Sequence, residues 1–222
     1  MARAASGVEP QAGLSADRVL QAAIVLADRA GLDGLSMRRL AGALGVQAMS
    51  IYYYFPNRDA ILDGIVDLVV GEFELPSPGG TWKDGLRAMA ISAHSVLEQH
   101  PWACGLMMAP RRVGGARKRY MNAMLGQLRE AGFSAGQADV AYHALDSHII
   151  GSTLWEVGYA VGSEDLSGFA EVFLRSLDGA DLPYLAEHVR EHMRPPDAHG
   201  NDPFLFGLDL ILEGLDRLPR GG

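Results

Sequence analysis

Cysteine is nearly absent from this chain of 222 residues: Cys104 stands alone, between Ala103 and Gly105. A single thiol closes no internal disulfide, so the fold is expected to rest on its apolar core, as in a reducing compartment. In that setting Cys104 reads as a small buried hydrophobe. Uninterrupted apolar runs are missing too. No segment reaches the roughly 20 residues that a membrane span requires, and the Ala-rich start carries no apolar signal core. Together these absences predict a cytoplasmic protein with no membrane partner. Alternating strand patterns and internal repeats are also lacking, as are phosphate loops, nucleophile elbows and metal-ligand motifs. The expected fold class is therefore all-α, with no cofactor.

What is present is apolar content and an uneven charge. Apolar residues make up 48% of the chain, enough for a well-buried core in one large or two smaller domains. The net charge of −8 argues against indiscriminate attraction to polyanions. Residues 1–60 hold six Arg, no Lys and five Asp or Glu, whereas the remaining 162 hold 13 basic and 22 acidic residues. Any contact with nucleic acid thus belongs to the N-terminal quarter, because the acidic remainder would be repelled by phosphate.

Residues 1–14 are small, polar and unpatterned, and read as a mobile tail. Ser15 then caps a helix to Ala30, with Val19, Ala22, Ala23, Leu26 and Ala27 at helical spacing and Gly31 as its stop. Ser36 caps a second helix ended by Gly45, and "QAMSIYYYF" forms a third, too short to persist without packing. Asn57 caps a fourth helix to Phe73, before "LPSPGG" breaks the pattern. Further helical segments span 83–99, 101–108, 117–131 and 135–159. A Gly, Asp and Ser-rich stretch over 161–168 leads to weaker helices, and "PPDAHGND" precedes a last one, 203–218. The predicted division is a tail, 1–14, a small helical domain, 15–60, a connecting helix and junction, 61–78, and a larger helical domain, 79–222.

Residues 36–53 have the proportions of a helix-turn-helix. Two steeply crossing helices need a small residue at their closest approach, a residue tolerant of left-handed geometry at the turn, and an apolar plug. Ala41, Gly45 and Ile51 occupy those positions, with Leu40 and Val46 completing the packing. The longer stretch "GLSMRRLAGALGVQAMSIYYYFPNRDAILDGI" resembles the N-terminal DNA-binding domain of the TetR family of bacterial repressors. Near the other end, "PFLFGLDLILEGLDRL" and "LREAGFSAGQADVAYHALDSHIIGSTLWE" resemble the closing helices and the ligand and dimer region of the tetracycline-repressor branch. The resemblance runs from Ser15 almost to the end. It implies a homodimer with an N-terminal reading head and a C-terminal ligand-binding and dimerisation domain.

The three consecutive tyrosines cannot share a helix face, since successive side chains are about 100° apart. Ile51 and Phe55, four apart, mark the buried side, which turns Tyr53 outward and leaves Tyr52 and Tyr54 on the flanks. In a major groove the outward tip meets bases and the flanking hydroxyls meet phosphates. Gln47, Met49, Ser50 and Tyr53 are thus expected at base edges, and Tyr52 and Tyr54 on phosphates. Gln47 suits adenine, and Ala48 or Met49 the thymine methyl. By the resemblance, Arg38 matches a family position that reaches a base, and Arg58 matches the phosphate-contacting lysine.

Tetracycline-type repressors hold their drug through a magnesium that needs a histidine. Met107 falls where that histidine would stand, and Met89 and Met124 fall at polar drug contacts, which points away from tetracycline. Three methionines suit a plastic pocket for a lipophilic ligand. His143, Asp146 and Trp155 on the long 135–159 helix are the candidate polar and aromatic lining. Neither this helix nor His188 and His192 is read as a metal site, because ligands must converge. Gly151 and Ser152 permit close approach of another helix, and Phe204, Leu208, Ile211, Leu212 and Leu215 form a stripe on the last one. Paired across a twofold axis, these two helices would build a four-helix dimer interface.

The function expected is a ligand-responsive transcriptional repressor that binds a palindromic operator as a homodimer and is released by a small lipophilic effector. The alternatives are a ligand-dependent activator, and a small helical enzyme using His143, Asp146 and Glu156 as acid and base groups.

Overall fold

The computed structural model describes residues 13–77, 79–109, 112–161, 166–177, 181–192 and 202–219. The expected tail over 1–12, part of the Gly-rich stretch at 162–165 and most of "PPDAHGND" lie outside the described residues. Among the described residues the chain is helical, with no strand.

The N-terminal part contains α1 (Ala16–Gly34), α2 (Met37–Leu44), α3 (Ala48–Tyr52) and α4 (Arg58–Val70). Side-chain oxygens start three of them as the sequence predicts. Ser15 Oγ accepts from Arg18 N, Ser36 Oγ from Arg39 N, and Asn57 Oδ1 from Ala60 N, each satisfying one donor left over at a helix start. Inside α1 the helical course breaks at Gly31, φ 64°, and resumes for one short turn. The turn between α2 and α3 is set by Gly45 at φ 68°, a left-handed geometry that a side chain would strain. Ile51 is fully buried and plugs α3 against its neighbours, which explains how a five-residue helix persists.

The C-terminal part contains α5 (Trp82–Gln99), α6 (Trp102–Met108), α7 (Gly115–Glu130), α8 (Ala135–Val161), α9 (Leu166–Ser176), α10 (Pro183–His192) and α11 (Pro203–Asp216). Thr81 caps α5, and Asp202 caps α11 by accepting from the N–H groups of Phe204 and Leu205. Helix α8 packs on α5, α7 and α11. Helix α4 belongs to both halves, because it packs on α1 in the reading head and on α6 and α7 beyond it. One continuous apolar core accordingly runs from Val19 to Leu212.

The apolar stripe on α11 faces the opposite way from the expectation. Phe204, Leu208 and Leu212 are buried within the chain against α5 and α8, and Ile211 and Leu215 are half-buried on the same core. Helix α11 is apolar on two faces, and the core of its own domain takes the richer one. The face left over carries Phe206 and Leu210, one turn apart and each 58% exposed.

Candidate nucleic-acid interface and ligand cavities

In the reading head, Tyr53 is 85% exposed and Met49 75%. Four residues apart, they project together from the side of α3 opposite Ile51. Gln47, Ser50 and Arg38 are exposed, and Ala48 is half-buried against the core. Tyr52 is also exposed, on the flank.

Two expected phosphate contacts have other engagements. The Tyr54 hydroxyl donates to the Leu14 carbonyl at 2.7 Å, and its ring meets that of Tyr53 edge-on at 5.1 Å. Tyr54 thus ties the end of the tyrosine run to the start of α1, and Leu14 belongs to the folded domain. Arg58 donates from Nε to Leu35 O at 2.8 Å and from Nη2 to Leu32 O at 2.6 Å. It fastens α4 to the carbonyls at the end of α1, where a cation is favoured. A guanidinium spent in this way is a structural clasp.

A cavity of about 460 Å³ lies between α6, α7 and α8. Met107, Met121, Ile150 and Leu154 supply apolar walls, and Arg117, His143 and Asp146 supply polar ones. Arg117 donates to the carbonyl of Met107 and stands beside Asp146 and Tyr142. Burial raises the Asp146 carboxyl above its ordinary range, with Arg117 and His143 opposing it. Burial likewise pushes the Tyr142 phenol up to about 12 and the Cys104 thiol up to about 11. Cys104 therefore stays a protonated, buried hydrophobe.

Met89 and Met124 line neither this cavity nor the next. Both are fully buried between α5 and α7 as ordinary core. The candidate lining is split further, because Trp155 borders a second cavity of about 670 Å³, between α5, α8 and the start of α11. Gly151 opens on the first cavity and Ser152 on the second. A Cβ at Gly151 would meet nothing within 4 Å, so among the described residues no helix crosses there. His143 and Asp146 border one cavity and Glu156 the other, which separates the acid and base groups of the enzyme alternative.

Two polar links join the cavity region to the reading head, and neither was singled out from the sequence. On α4, the Asp67 carboxylate accepts from Ala116 N at 3.2 Å and Arg117 N at 3.0 Å, capping the start of α7. On α1, Asp28 Oδ1 lies 2.7 Å from His100 Nδ1 and accepts from Trp102 Nε1 at 2.7 Å, at the corner between α5 and α6. Gly114 makes the first link possible, since a Cβ there would lie 2.1 Å from the Asp67 carboxyl carbon. The only hint in sequence was a glycine pair, "VGGARK", before a helix.

Similarity to known proteins now bears on this arrangement. Residues 19–65 match the domain described as bacterial regulatory proteins, tetR family, and residues 75–218 the tetracyclin repressor-like C-terminal domain. The HTH-type transcriptional repressor DrrR1 of Streptomyces coeruleorubidus is 31% identical over 94% of this chain and 80% of its own. The class A tetracycline repressor of Escherichia coli transposon 1721 is 32% identical over 91% and 90%. The Streptomyces coelicolor protein ActR, crystallised with actinorhodin, superposes with a TM-score of 0.76 at 26% identity, covering 92% of this chain and 97% of that one. A helix-turn-helix head, a helical second domain with cavities, and matches across both halves lead to one conclusion: the chain belongs to the TetR family of bacterial transcriptional regulators.

Proposed function

We propose that the chain is a repressor that binds a palindromic operator as a homodimer and is released by a small, largely apolar effector. The observation that carries this reading is the position of Arg117. Its guanidinium borders the cavity of Met107 and Asp146, while its backbone N–H is held by Asp67 of α4, the helix that also packs on the reading head. A ligand that displaces Arg117 would act on α4 within one hydrogen bond.

The direction of control is then a population shift. The effector favours a dimer whose heads are misplaced for their half-sites, and it must bind that state more tightly than the operator-bound one. A twofold pair of heads has to meet half-sites about 34 to 36 Å apart. The exposed apolar side chains Phe206 and Leu210 of α11, with Leu154 and Trp155 of α8, support a dimer built on those two helices. Among relatives, DrrR1 is named a repressor, and ActR was crystallised with actinorhodin, in keeping with repression and a small-molecule effector. Methionines in the cavity wall favour a lipophilic one.

Contact with DNA is assigned to Arg38, Gln47, Ala48, Met49, Ser50, Tyr52 and Tyr53. The test is fluorescence anisotropy on the intergenic DNA upstream of the gene, over a range of salt. Specific, salt-sensitive binding by the wild type is expected, weakened by Tyr53→Ala and Arg38→Ala. No specific binding, or equal binding by both variants, overturns the reading.

A further inference from the structure

The second cavity contains a cluster that operator binding does not use. His94 and Glu98 stand four residues apart on one face of α5, and Glu156 reaches them from α8. Their donor atoms all fall within 4.8 Å of one another. His94 Nε2 lies 3.0 Å from Glu156 Oε2, and Nδ1 lies 3.8 Å from Glu98 Oε2.

The histidine is the informative member. It is 7% exposed, and its Nε2 is buried with no hydrogen-bond partner among the described residues, although a carboxylate oxygen is only 3.0 Å away. The two atoms are close but not aligned for donation. Glu98 and Glu156 share a hydrogen bond, whereas the imidazole nitrogen that converges on them is unsatisfied and so is free to act as ligand of a third body. Bonds of about 2.1 Å from nitrogen and oxygen to a shared ion place neighbouring ligand atoms roughly 3 to 4 Å apart, the range seen between His94 Nε2 and Glu156, while Glu98 makes its 3.8 Å contact with the other ring nitrogen.

Ring orientation is fixed as well. The imidazole of His94 stacks on Phe204, with centroids 3.8 Å apart and planes 13° from parallel, and Phe204 stacks in turn on His148. Burial lowers the His94 pKa and so favours the neutral ring, the form that coordinates a metal. The cavity lining includes the carboxylates of Glu98, Glu156 and Asp202 and, among the described residues, no lysine or arginine. Burial and the two neighbouring acids raise Glu156 to about 7, a sign that the cavity is short of positive charge.

We propose that His94, Glu98 and Glu156 form a binding site for a first-row transition-metal dication. One imidazole nitrogen with two carboxylate oxygens suits zinc or manganese better than magnesium or calcium, which take mostly oxygen ligands. The position is separate from Met107, where the resemblance puts the magnesium-holding histidine of tetracycline repressors. Metal occupancy is its readout, so the site stands or falls independently of operator binding.

The experiment uses the full chain, free of any histidine tag and treated with a chelator. Zinc and manganese are titrated by calorimetry, and bound metal is assayed after gel filtration. One ion per protomer is expected, and excess magnesium leaves it in place. Glu98→Gln changes an exposed side chain and Glu156→Gln a half-buried one, each nearly isosteric, so both variants should fold, which circular dichroism checks. Each should weaken binding by at least about tenfold, the smaller loss seen even for an outer partner of a metal ligand. Asp139→Asn, which removes an acid elsewhere on α8, should leave binding unchanged. No stoichiometric binding by the wild type, equal displacement by magnesium, or full binding by the Glu98→Gln, Glu156→Gln double variant overturns the proposal.

Discussion

The Asp67 carboxylate of α4 holds the backbone N–H of Arg117 at the start of α7, 3.0 Å away. This one contact joins a helix of the reading head to a wall of the cavity beside Met107. Its companion is Asp28 of α1, which engages His100 and Trp102 next to α6. Both links are carboxylates of the N-terminal helices reaching into the second domain, so the head is held by directional bonds as well as by packing.

Removing the first link should destabilise the chain and loosen the coupling. Asp67→Ala deletes a cap and a favourable charge at a helix N-terminus, worth about 1 kcal/mol. Gly114→Ala should have a similar effect, because its methyl would occupy the space of the Asp67 carboxyl. The double variant should then cost little more than either single one. Denaturant unfolding of the four proteins measures the cycle, and simple additivity would contradict the steric argument.

At the second link, Asp28→Ala leaves His100 and the Trp102 indole without their shared partner. A loss of about 1 to 3 kcal/mol is expected. Trp102→Phe keeps the ring and removes one bond, so it should cost less. Thermal unfolding followed by tryptophan fluorescence orders the two variants.

The tyrosines should separate by role. Tyr53→Ala, at an exposed position, should change stability by no more than about 0.5 kcal/mol and weaken operator binding. Tyr54→Phe should do the reverse, losing roughly 1 kcal/mol with the bond to Leu14 and leaving the salt dependence of binding intact. Anisotropy and chemical unfolding on the same preparations give both quantities.

On α11, Phe206→Asp and Leu210→Asp should yield folded monomers by sedimentation velocity. Leu208→Asp, one face away, buries a carboxylate in the core and should prevent folding, at a cost of several kcal/mol. A dimer that survives both exposed substitutions would place the interface elsewhere.

Stability should depend on pH through the His94 cluster, which Glu98, Asp202 and His148 also face. Glu156 titrates at about 7 in the fold against 4.5 when unfolded. Between those values the native chain holds more protons, so this group makes stability fall as pH rises and has no further effect above about 7. His94 is shifted down, so its effect has the opposite sign: stability rises with pH up to about 6.5 and is then level. Glu156→Gln removes only the first effect. In chelator-treated protein its melting temperature should exceed the wild-type value near pH 8 and approach it near pH 5.

The sequence by itself determined the helical class, the caps at Ser15, Ser36 and Asn57, the left-handed turn at Gly45 and the outward aspect of Tyr53. Each depends on residues within one or two turns, where periodicity and capping chemistry are local. The positions of Tyr54 and Arg58 were predicted, but their partners were not, because the Leu14, Leu32 and Leu35 carbonyls approach them only when α1 packs beside α4. The stripe on α11 was visible, and which of its two apolar faces met the domain core was not, since a helix wheel has no knowledge of its neighbours. Asp67, Asp28 and the His94 cluster were invisible for the same reason. A carboxylate that caps another helix, or a histidine that meets an acid 62 residues away, acquires its role only from tertiary packing.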